Sequence, residues 1–267
     1  MGVSIIIPVY NRTKILKESL RSILLQDHED FEVIVVDDHS DEDIKGVCDS
    51  FKDERILYIK NKRLKGAQGA RNTGILTSKY DILVFLDSDD HLTNNSISSR
   101  LDLLCKESEK KIGLIYGDLL NRKKYPTVKN AYKFMSRNLT LCSFSAMMIP
   151  KYVFEEIELL PENLQSYQDD FLCFEISKKF NFIKCNQVVA KYAPIYRDSN
   201  ISKNSDNQIN GLSTYLEHLN ENLQVKYPKY YLFKTKLWMQ KKQHSNVKTI
   251  NSLILKMIQI LESRIFK

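Results

Sequence analysis

The sequence lacks the features of a membrane-spanning or exported protein. No part of its 267 residues approaches the ~20 consecutive apolar residues that a membrane-spanning helix needs. Its first residues, MGVSIIIPVYN, hold a short apolar run that meets Pro8, which is typical of a strand and not of a signal peptide. The five cysteines form no C-x-x-C pair and leave an odd one over, as ordinary apolar residues of a reduced compartment do. We therefore expect a cytoplasmic protein, either free or peripheral to a membrane.

Two common nucleotide-binding motifs are also missing. No G-x-G-x-x-G follows the first apolar run, which argues against a dinucleotide site, and no G-x-x-x-x-G-K-[ST] is present, which argues against a P-loop. The net charge of +7, from 40 basic and 33 acidic residues, suits an anionic partner such as a nucleotide, a nucleic acid or an acidic membrane surface. Charge alone does not choose among these partners.

Short apolar runs alternate with helical patterns in the first third of the chain. The runs predict strands at 3–7, 32–36, 55–59 and 81–86, and the segments between them predict helices at 13–26, 41–51 and 70–78. Strands that are apolar on both faces and are separated by helices indicate a parallel sheet covered on both sides. We therefore predict a Rossmann-like α/β fold with a mostly parallel central sheet.

The pattern is less regular beyond residue 90 and changes character after about 210. It predicts helices at 97–107 and 168–180 and strands at 112–117 and 145–149. Three further helices are predicted at the C-terminal end, at 212–223, 230–242 and 247–264. The sequence thus predicts an α/β region followed by a helical extension.

Polar clusters follow each of the four predicted N-terminal strands, at 8–11, 37–43, 65–74 and 87–90. Ligands of open α/β sheets collect in the crevice beyond the carboxyl ends of the strands, so one crevice would hold all four clusters.

The last cluster, DSDD, packs the carboxylates of Asp87, Asp89 and Asp90 together. Such charges repel one another unless a cation or hydrogen-bond donors offset them, and Mg²⁺ or Mn²⁺ bridging to a diphosphate is the natural compensation. Two alternatives stay open at this point. One is a solvated acidic turn after a strand. The other, the weaker of the two enzyme interpretations, is the D-x-D of a haloacid-dehalogenase-like phosphatase, although His91 stands where that class usually has Thr or Val and the strand is the fourth in the chain instead of the first.

Four blocks together resemble glycosyltransferase family 2, whose members have the GT-A fold: SIIIPVYNR (4–12), FEVIVVDDHSDED (31–43), GAQGARNTGI (66–75) and YDILVFLDSDD (80–90). Their order and spacing match over residues 3–92. The resemblance implies a nucleotide-sugar-binding half at 1–95, an acceptor-binding half at 96–210 and a C-terminal helical, basic-aromatic extension at 211–267.

The resemblance also implies roles for individual residues. Asp38 would hydrogen-bond the base, typically uracil, with Asp37 in support, and Asp87 would contact the ribose or the donor sugar. Asp89, together with Asp90, would hold Mn²⁺ or Mg²⁺. The remaining residues implied to line the nucleotide-sugar site are Pro8, Val9, Tyr10, Asn11, Gly66, Arg71, Asn72 and Ser88. Asn11 as a mere helix cap and Arg71 as a mere surface ion pair are the structural alternatives.

Transfer needs a base that takes a proton from the acceptor hydroxyl. In the family this base is an Asp that opens a helix, and SYQDDFLCFEIS (166–177) matches that place with Asp169 at the base position. Asp170 is the reserve candidate because the doubled Asp leaves the register uncertain by one. A helix-capping Asp without chemistry is the alternative for Asp169. Further on, 196–202 resembles the family's Tyr-Arg loop, but Asp198 and Ser199 stand where others carry His, so a third metal ligand is not expected.

The resemblance implies an inverting, metal-dependent transferase that moves a hexose or N-acetylhexosamine from a UDP-sugar. The implied acceptor is a glycan, such as a polyprenyl-diphosphate-linked saccharide of O-antigen or capsule synthesis at the inner face of the cytoplasmic membrane. A phosphohydrolase with Asp87 as nucleophile and a non-catalytic sugar-nucleotide-binding protein are the alternatives.

Residues 226–242 combine six lysines and no acidic residue with several aromatic residues. This pattern suits an anionic membrane surface. It also fits single-stranded nucleic acid, but a metal-diphosphate site has no use for one, so we expect no nucleic acid partner. A helix that packs on the main domain with solvated lysines is the alternative. The helix predicted at 247–264 would pack within the chain or form a homodimer.

Overall fold

Two compact units make up the chain, Met1–Lys203 and Asn204–Lys267. The computed structural model describes residues 1–107, 110–138, 140–192 and 205–223. The first unit holds the α/β region, and its end at residue 203 precedes the predicted boundary at 210.

One eight-stranded sheet runs through the first unit, in the order β3-β2-β1-β4-β7-β6-β8-β5. Strands β3, β2, β1 and β4 are parallel to one another, as are β6 and β8, whereas β7 and β5 run antiparallel to their neighbours. The strands are β1 (Val3–Val9), β2 (Phe31–Asp37), β3 (Ile56–Lys60), β4 (Ile82–Phe85), β5 (His91–Leu92), β6 (Ile112–Leu120), β7 (Met147–Pro150) and β8 (Asn181–Lys191). The mixed α/β architecture with a mostly parallel sheet confirms the predicted fold class.

Strands β1, β2 and β4 form the centre of the core, whereas β3 lies at the edge of the sheet and is only partly buried. Every residue of β1, β2 and β4 is buried, as continuous apolar runs in a parallel sheet require. β1 and β2 pair in register from Val3 opposite Phe31 to Val9 opposite Asp37, so the two strands end side by side. The loops that follow these parallel strands therefore meet at one edge of the sheet.

The second half of the sheet differs from the pattern read from the sequence. The predicted strand at 145–149 is β7, preceded by a short 3₁₀ turn at Phe144–Ala146. The predicted helix at 168–180 ends at Ser177, and the long strand β8 that follows it was not predicted. β8 is buried at irregular intervals and contains several polar residues, so neither a period of two nor an apolar run marks it.

Six of the eight helices in the described residues were expected from the hydrophobic periodicity, with ends that differ by several residues at most. The two short helices at Ala131–Met135 and Val153–Glu156 were not predicted. They are α1 (Thr13–Leu24), α2 (Ile44–Asp49), α3 (Ala67–Thr77), α4 (Ser96–Lys106), α5 (Ala131–Met135), α6 (Val153–Glu156), α7 (Gln168–Ser177) and α8 (Ser205–Leu223).

In the second unit the described structure is α8, which contains the predicted helix 212–223. Leu212, Tyr215 and Leu219 are fully buried and share one stripe of this helix. None of the helices in the described ranges has the length and apolar character needed to cross a bilayer. The segments predicted as helices at 230–242 and 247–264 and the Tyr-Arg segment 196–202 lie outside the described residues.

Candidate active site

The loops after β1, β2 and β3 are tied together by side chain to backbone hydrogen bonds. Asn11 Oδ1 accepts the N–H of Asp41 at 2.8 Å, which joins the first loop to the second. Asp38 accepts the N–H of Gly66 with both carboxylate oxygens, at 2.8 and 3.0 Å, and so joins the second loop to the third. Asn61 Nδ2 donates to the same carboxylate at 2.7 Å. The three clusters predicted to share a crevice therefore do lie together.

The acidic turn after β4 completes the set through two ion pairs. Arg71 Nη2 lies 2.6 Å from Asp87 Oδ1, which connects the turn to α3. Arg12 Nη1 lies 2.9 Å from Asp89 Oδ2, which connects it back to the loop after β1. Both guanidinium groups are largely buried, so these pairs are better shielded than surface ion pairs. Arg71 is thus more than the surface ion pair of the structural alternative.

The residues predicted to surround the nucleobase lie at the carboxyl ends of β1 and β2. Pro8 and Val9 are the buried last residues of β1, and Val9 accepts the N–H of Asp38 at 2.8 Å through its carbonyl. Asp37 accepts the N–H of Ser40 at 2.9 Å and the hydroxyl of Tyr58 at 2.8 Å, which fixes the turn around Asp38.

Tyr10 is 45% exposed, and Lys65 Nζ lies 4.5 Å from the centre of its ring. Gly66 begins α3 with φ of 138°, a conformation that favours glycine. The exposed ring of Tyr10 therefore contacts Lys65, the residue before Gly66, whose N–H bonds to Asp38.

Asn11 and Asn72 make structural contacts that the sequence did not reveal. Asn11 has φ of 48° and bonds the segment after β2, while the N-cap of α1 is Arg12, without a side-chain cap. Asn72 is fully buried and exchanges hydrogen bonds with the backbone of Leu160, at 2.9 and 3.0 Å. Its amide also donates to Glu162 at 3.0 Å. Because protein groups occupy the amide of Asn72, the structure brings Asn72 close to the site without offering it to a ligand.

Two serine hydroxyls hydrogen-bond to the backbone of the acidic turn. The hydroxyl of Ser19 in α1 lies 2.8 Å from the carbonyl oxygen of Ser88 and 2.7 Å from that of Asp90. Ser145 Oγ accepts the N–H of Asp87 at 3.1 Å. Ser88 is buried, so its backbone and not its side chain shapes the site. These contacts fix the direction in which the carboxylates of the turn leave the sheet.

Asp169 and Asp170 lie in the first turn of α7 and have different surroundings. Asp170 is buried and accepts the N–H of Leu141 at 3.1 Å, whereas Asp169 is partly exposed. Burial, and then the charge of Asp87, raise the pKa of Asp169 to about 6, while the charge of Arg71 opposes the rise. Burial, and then the charge of Asp169, raise the pKa of Asp170 well above its ordinary value. Of the two candidates, Asp169 is the one within electrostatic reach of the Asp87–Arg71 pair.

The carboxylates of the acidic turn fit a hard divalent cation, which needs one or two of them when water and phosphate oxygens complete its shell. Burial, and then the charge of Asp87, raise the pKa of Asp89, while the charge of Arg12 opposes the rise. A divalent cation at this position would favour the ionised carboxylate. Asp90 is only 2% exposed, so its carboxylate is less accessible than that of Asp89. Across the described residues, no group of three or more histidine, cysteine or acidic side chains is arranged as a metal site.

Sequence reasoning missed several residues that build the site. Arg12 was quoted in the first block but given no role, although the need to offset the Asp cluster could have suggested it. Glu162 accepts from Asn72 and from the N–H of Leu64, and it also pairs with Arg63. No local signal in the sequence announces this contact, because it joins segments almost 100 positions apart.

Comparison with known proteins agrees with this arrangement. The family model described as glycosyl transferase family 2 matches residues 4–158. An uncharacterized glycosyltransferase of Rickettsia bellii is 34% identical over 194 residues, which cover 66% of this chain and 26% of that protein. The Escherichia coli protein named UDP-Glc:alpha-D-GlcNAc-diphosphoundecaprenol beta-1,3-glucosyltransferase WfaP is 39% identical over 108 residues, covering 40% of this chain and 42% of its own length. The match thus spans well under half of either relative.

Solved structures share the fold. Staphylococcus aureus TarS 1-349 in complex with UDP-GlcNAc superposes with a TM-score of 0.65 at 16% identity, covering 94% of this chain and 78% of that one. The mannosyltransferase PcManGT from Pyrobaculum calidifontis, in complex with GDP-Man and Mn²⁺, gives 0.66 at 14% identity, covering 97% and 79%. These likenesses establish the GT-A fold. Since the family model covers more than half of the chain, the chain belongs to glycosyltransferase family 2.

Proposed function

We propose that this chain is an inverting, metal-dependent glycosyltransferase that moves a hexose or N-acetylhexosamine from a UDP-sugar to a glycan acceptor. The observation that carries the proposal is the position of Asp169, partly exposed and within electrostatic reach of the Asp87–Arg71 pair at the end of β4. A carboxylate with a pKa of about 6 is ionised at neutral pH and still basic enough to accept a proton.

The side chains fit a single displacement at the anomeric carbon. As the acceptor oxygen attacks that carbon, Asp169 takes the hydroxyl proton, and the bond from the carbon to the diphosphate oxygen breaks. The leaving diphosphate gains negative charge, and the guanidinium groups of Arg71 and Arg12 stand at the acidic turn where that charge would develop. Attack and departure on opposite faces of the carbon give inversion.

Asp89, with Asp90 as the less accessible partner, would hold Mn²⁺ or Mg²⁺ at this edge. When bound, the cation supplies positive charge that neutralises the diphosphate. The nucleotide-sugar residues Asp37, Asp38, Tyr10 and Gly66 would hold the nucleoside on the neighbouring loops.

The names of relatives support the donor and acceptor. WfaP is named for UDP-Glc as donor and a diphosphoundecaprenol-linked acceptor, and TarS was solved with UDP-GlcNAc. We therefore propose a polyprenyl-diphosphate-linked saccharide as acceptor, in O-antigen or capsule synthesis. Action at the inner face of the cytoplasmic membrane, contact of 226–242 with anionic lipid, and a homodimer through the C-terminal helices belong to the same proposal. Family membership speaks against the phosphohydrolase and the non-catalytic alternatives.

A donor screen tests the proposal. UDP-, GDP-, CMP- and dTDP-sugars are incubated with Mn²⁺ and a polyprenyl-diphosphate-linked saccharide, and nucleotide release and the anomeric configuration of the product are measured. We expect turnover with a UDP-sugar, an inverted product and loss of activity with EDTA. No turnover with any donor, a retained configuration, or full activity in EDTA would contradict the corresponding part of the proposal.

Substitutions at the base position sharpen this test. Asp169→Asn is expected to lower kcat by roughly 10²- to 10⁴-fold, because the base is lost, while the affinity for UDP stays within about threefold of the wild type. Asp170→Asn, which keeps an oxygen for the N–H of Leu141, and Asp102→Asn on the exposed face of α4 serve as controls and keep most activity. Comparable turnover of Asp169→Asn and the wild type would refute the assignment of the base.

A further inference from the structure

Arg71 is fixed on three sides within the candidate site. Its Nη2 pairs with Asp87 at 2.6 Å, and its Nη1 donates to Gln68 Oε1 at 3.1 Å. The plane of the guanidinium lies on the ring of Phe144, with Cζ 3.8 Å from the ring centre. Among the described residues, Gln68 thus provides the one uncharged oxygen that accepts a hydrogen bond from the Arg71 guanidinium.

The orientation of the Gln68 amide follows from the chemistry of arginine. A guanidinium has only donors, so the oxygen of Gln68 and not its nitrogen must face Nη1. Gln68 is 1% exposed, and its Nε2 has no hydrogen-bond partner among the described residues. A buried, unpaired amide lowers stability, and methionine would fill a similar volume without it. Packing alone therefore does not account for a glutamine at this position.

The spacing of Gln68 and Arg71 on α3 allows their side chains to bond directly. Gln68 and Arg71 are three residues apart, so their side chains lie on the same face of the helix. Arg71 also lies close enough to Asp169 for its charge to act on that carboxyl group. If Arg71 lost its hydrogen bond to Gln68 Oε1, its guanidinium group could rotate. Its position relative to Asp87 and to the leaving diphosphate would then change.

We propose that Gln68 is a positioning residue, which holds Arg71 so that its cation faces Asp87 and the leaving diphosphate. This inference rests on the proposed function for its catalytic meaning, and on the contacts of Arg71 for its structural part. Gln68 itself does not touch the reacting atoms; its effect passes through Arg71. Since the cation matters most as charge develops on the leaving group, loss of its alignment lowers kcat more than it raises KM.

Two substitutions separate positioning from packing. Gln68→Met keeps the volume but removes the acceptor, and Gln68→Glu keeps an acceptor oxygen at the same reach but buries a charge. For a positioning role we expect Gln68→Met to lose roughly tenfold in kcat with KM for the donor within about threefold, and Gln68→Glu to stay closer to the wild type in kcat although it melts at a lower temperature. If Gln68 only packs, the order is reversed, and Gln68→Met is the more active variant.

A double-mutant cycle tests whether the effect passes through Arg71. In an Arg71→Lys background, Gln68→Met should lower kcat by no more than about twofold, because the contact it removes is already gone. A full additional loss equal to that in the wild-type background would overturn the inference.

A measurement without substrate keeps the two proposals distinct. The side-chain ¹⁵Nη–¹H signals of Arg71, identified by their disappearance in Arg71→Lys, should be resolved in the wild type and in Gln68→Glu and merged by rotation in Gln68→Met. Unchanged signals in Gln68→Met would refute the positioning role. If the wild type transfers no sugar from any donor, the proposed function fails, and the same spectra still decide whether Gln68 orders Arg71.

Discussion

At the scale of single residues, the site is a balance between acidic and guanidinium groups. Asp87, Asp89 and Asp169 carry the negative charge, and Arg71 and Arg12 each pair with one carboxylate of the turn. Arginine suits this role better than lysine because its planar group can bind a carboxylate and a neighbouring acceptor at once, as Arg71 does. Burial first, and then the charge of Asp87, raise the pKa values of Asp89 and Asp169. The remaining negative charge of the cluster favours a divalent cation.

The pKa of Asp169 predicts a pH dependence of the reaction. Only the ionised carboxylate can take the proton of the acceptor, so kcat/KM should fall about tenfold per pH unit below pH 6. Initial rates between pH 4.5 and 8 in a constant-ionic-strength buffer measure this limb. Asp170→Asn should keep it, whereas a profile that stays flat down to pH 5 would show that Asp169 is not the base.

Asp170 predicts a pH dependence of stability. Its raised pKa, caused by burial and then by Asp169, lets the folded chain keep a proton that the unfolded chain loses. As the pH rises from the unfolded pKa of this carboxyl group to its folded pKa, the free energy of unfolding falls by up to ~1.4 kcal/mol per pH unit. Asparagine removes this titration and still accepts the N–H of Leu141. We expect Asp170→Asn to match the wild type in free energy of unfolding near pH 4 and to exceed it at pH 8.

Urea unfolding monitored by circular dichroism at both pH values measures this difference. The exposed Asp102→Asn is the matched control and should show no pH-dependent gain. A variant that is equally destabilised at both pH values would mean that the hydrogen bond to Leu141, and not the buried charge, dominates at this position.

The sequence reveals individual residues of this site to very different degrees. Asp87, Asp89 and Arg71 stand in blocks with a recognisable order, and the structure places them together. Glu162 and Gln68 matter through contacts whose geometry depends on how loops and a helix face one another. Such contacts leave no local pattern, because glutamate and glutamine at these positions are equally compatible with solvent.

At the scale of elements, α3 is the component on which the site depends most. It begins at Ala67 after Gly66, carries Gln68, Arg71 and Asn72, and packs on β1 through Gly74. A Cβ atom added at Gly74 would lie 2.4 Å from Cγ2 of Ile6, a fully buried β-branched residue in the middle of β1. The close approach of helix and strand therefore requires glycine.

Gly74→Ala tests this packing. We expect a loss of about 1–2 kcal/mol in the free energy of unfolding, because overpacking costs ~1–3 kcal/mol and the better helix propensity of alanine returns up to ~1. Urea unfolding measures the loss. Leu76→Ala is the control on the same helix, since Leu76 is 60% exposed, and should change stability by no more than about 0.5 kcal/mol. A stabilised Gly74→Ala would show that β1 and α3 separate without cost.

Glu162 connects the loop after β3 to the segment ahead of α7. Its Oε2 accepts the N–H of Leu64 at 3.1 Å, and its Oε1 accepts from Asn72 at 3.0 Å and from Arg63. Burial alone would raise the pKa of Glu162, but these hydrogen bonds outweigh it, and the net pKa is lowered. The tether thus couples the loop that contains Gly66 to the segment that leads to Asp169.

Glu162→Gln should remove about 1–3 kcal/mol of stability at pH 7, because an amide cannot accept at both of its ends. A lowered folded pKa means that the contribution of Glu162 is fully present above the ordinary glutamate pKa and is lost as pH falls through the folded value. The difference between wild type and variant should therefore shrink from pH 7 to pH 4 in urea unfolding. The exposed Glu158→Gln is the control, and a difference that is independent of pH would contradict the ionic tether.

The elements that could be predicted are those whose burial follows a simple pattern. β1, β2 and β4 are buried along their entire length, so their apolar runs are unambiguous. β8 has exposed and buried residues in irregular order, and β5 has only two residues, so both depend on partners that the local sequence does not specify.

At the scale of the whole molecule, the parallel half of the sheet explains why sequence blocks far apart form one site. The carboxyl ends of β3, β2, β1 and β4 lie side by side, and each is followed by one of the polar clusters. This juxtaposition could be predicted, because parallel strands joined by helices place their following loops at the same edge. The mixed second half of the sheet, in which β6 and β8 are parallel and β7 and β5 are antiparallel to their neighbours, could not be predicted, because its pairing follows from tertiary contacts.

The proposed contact of 226–242 with anionic lipid predicts how binding of the chain to vesicles depends on these lysines. A basic residue near an anionic surface contributes ~1 kcal/mol, so replacing three lysines of 226–242 by glutamine should weaken partitioning onto anionic vesicles by roughly 150-fold at 0.1 M salt. The variant is Lys226→Gln with Lys229→Gln and Lys234→Gln, measured by co-sedimentation with vesicles of phosphatidylglycerol and phosphatidylcholine.

A matched triple variant carries the same change of net charge on exposed lysines of the α/β unit: Lys52→Gln, Lys106→Gln and Lys129→Gln. If 226–242 is the contact, this control partitions within about threefold of the wild type, and raising the salt to 0.5 M weakens binding of both because the Debye length shortens. Equal losses in the two variants would instead show that net charge, +7 over the entire chain, attracts the protein without a dedicated segment. Because the proposed acceptor is anchored in the bilayer, the triple variant in 226–242 should have a higher KM than the wild type for a lipid-linked acceptor in vesicles. Its KM for a water-soluble acceptor should be unchanged.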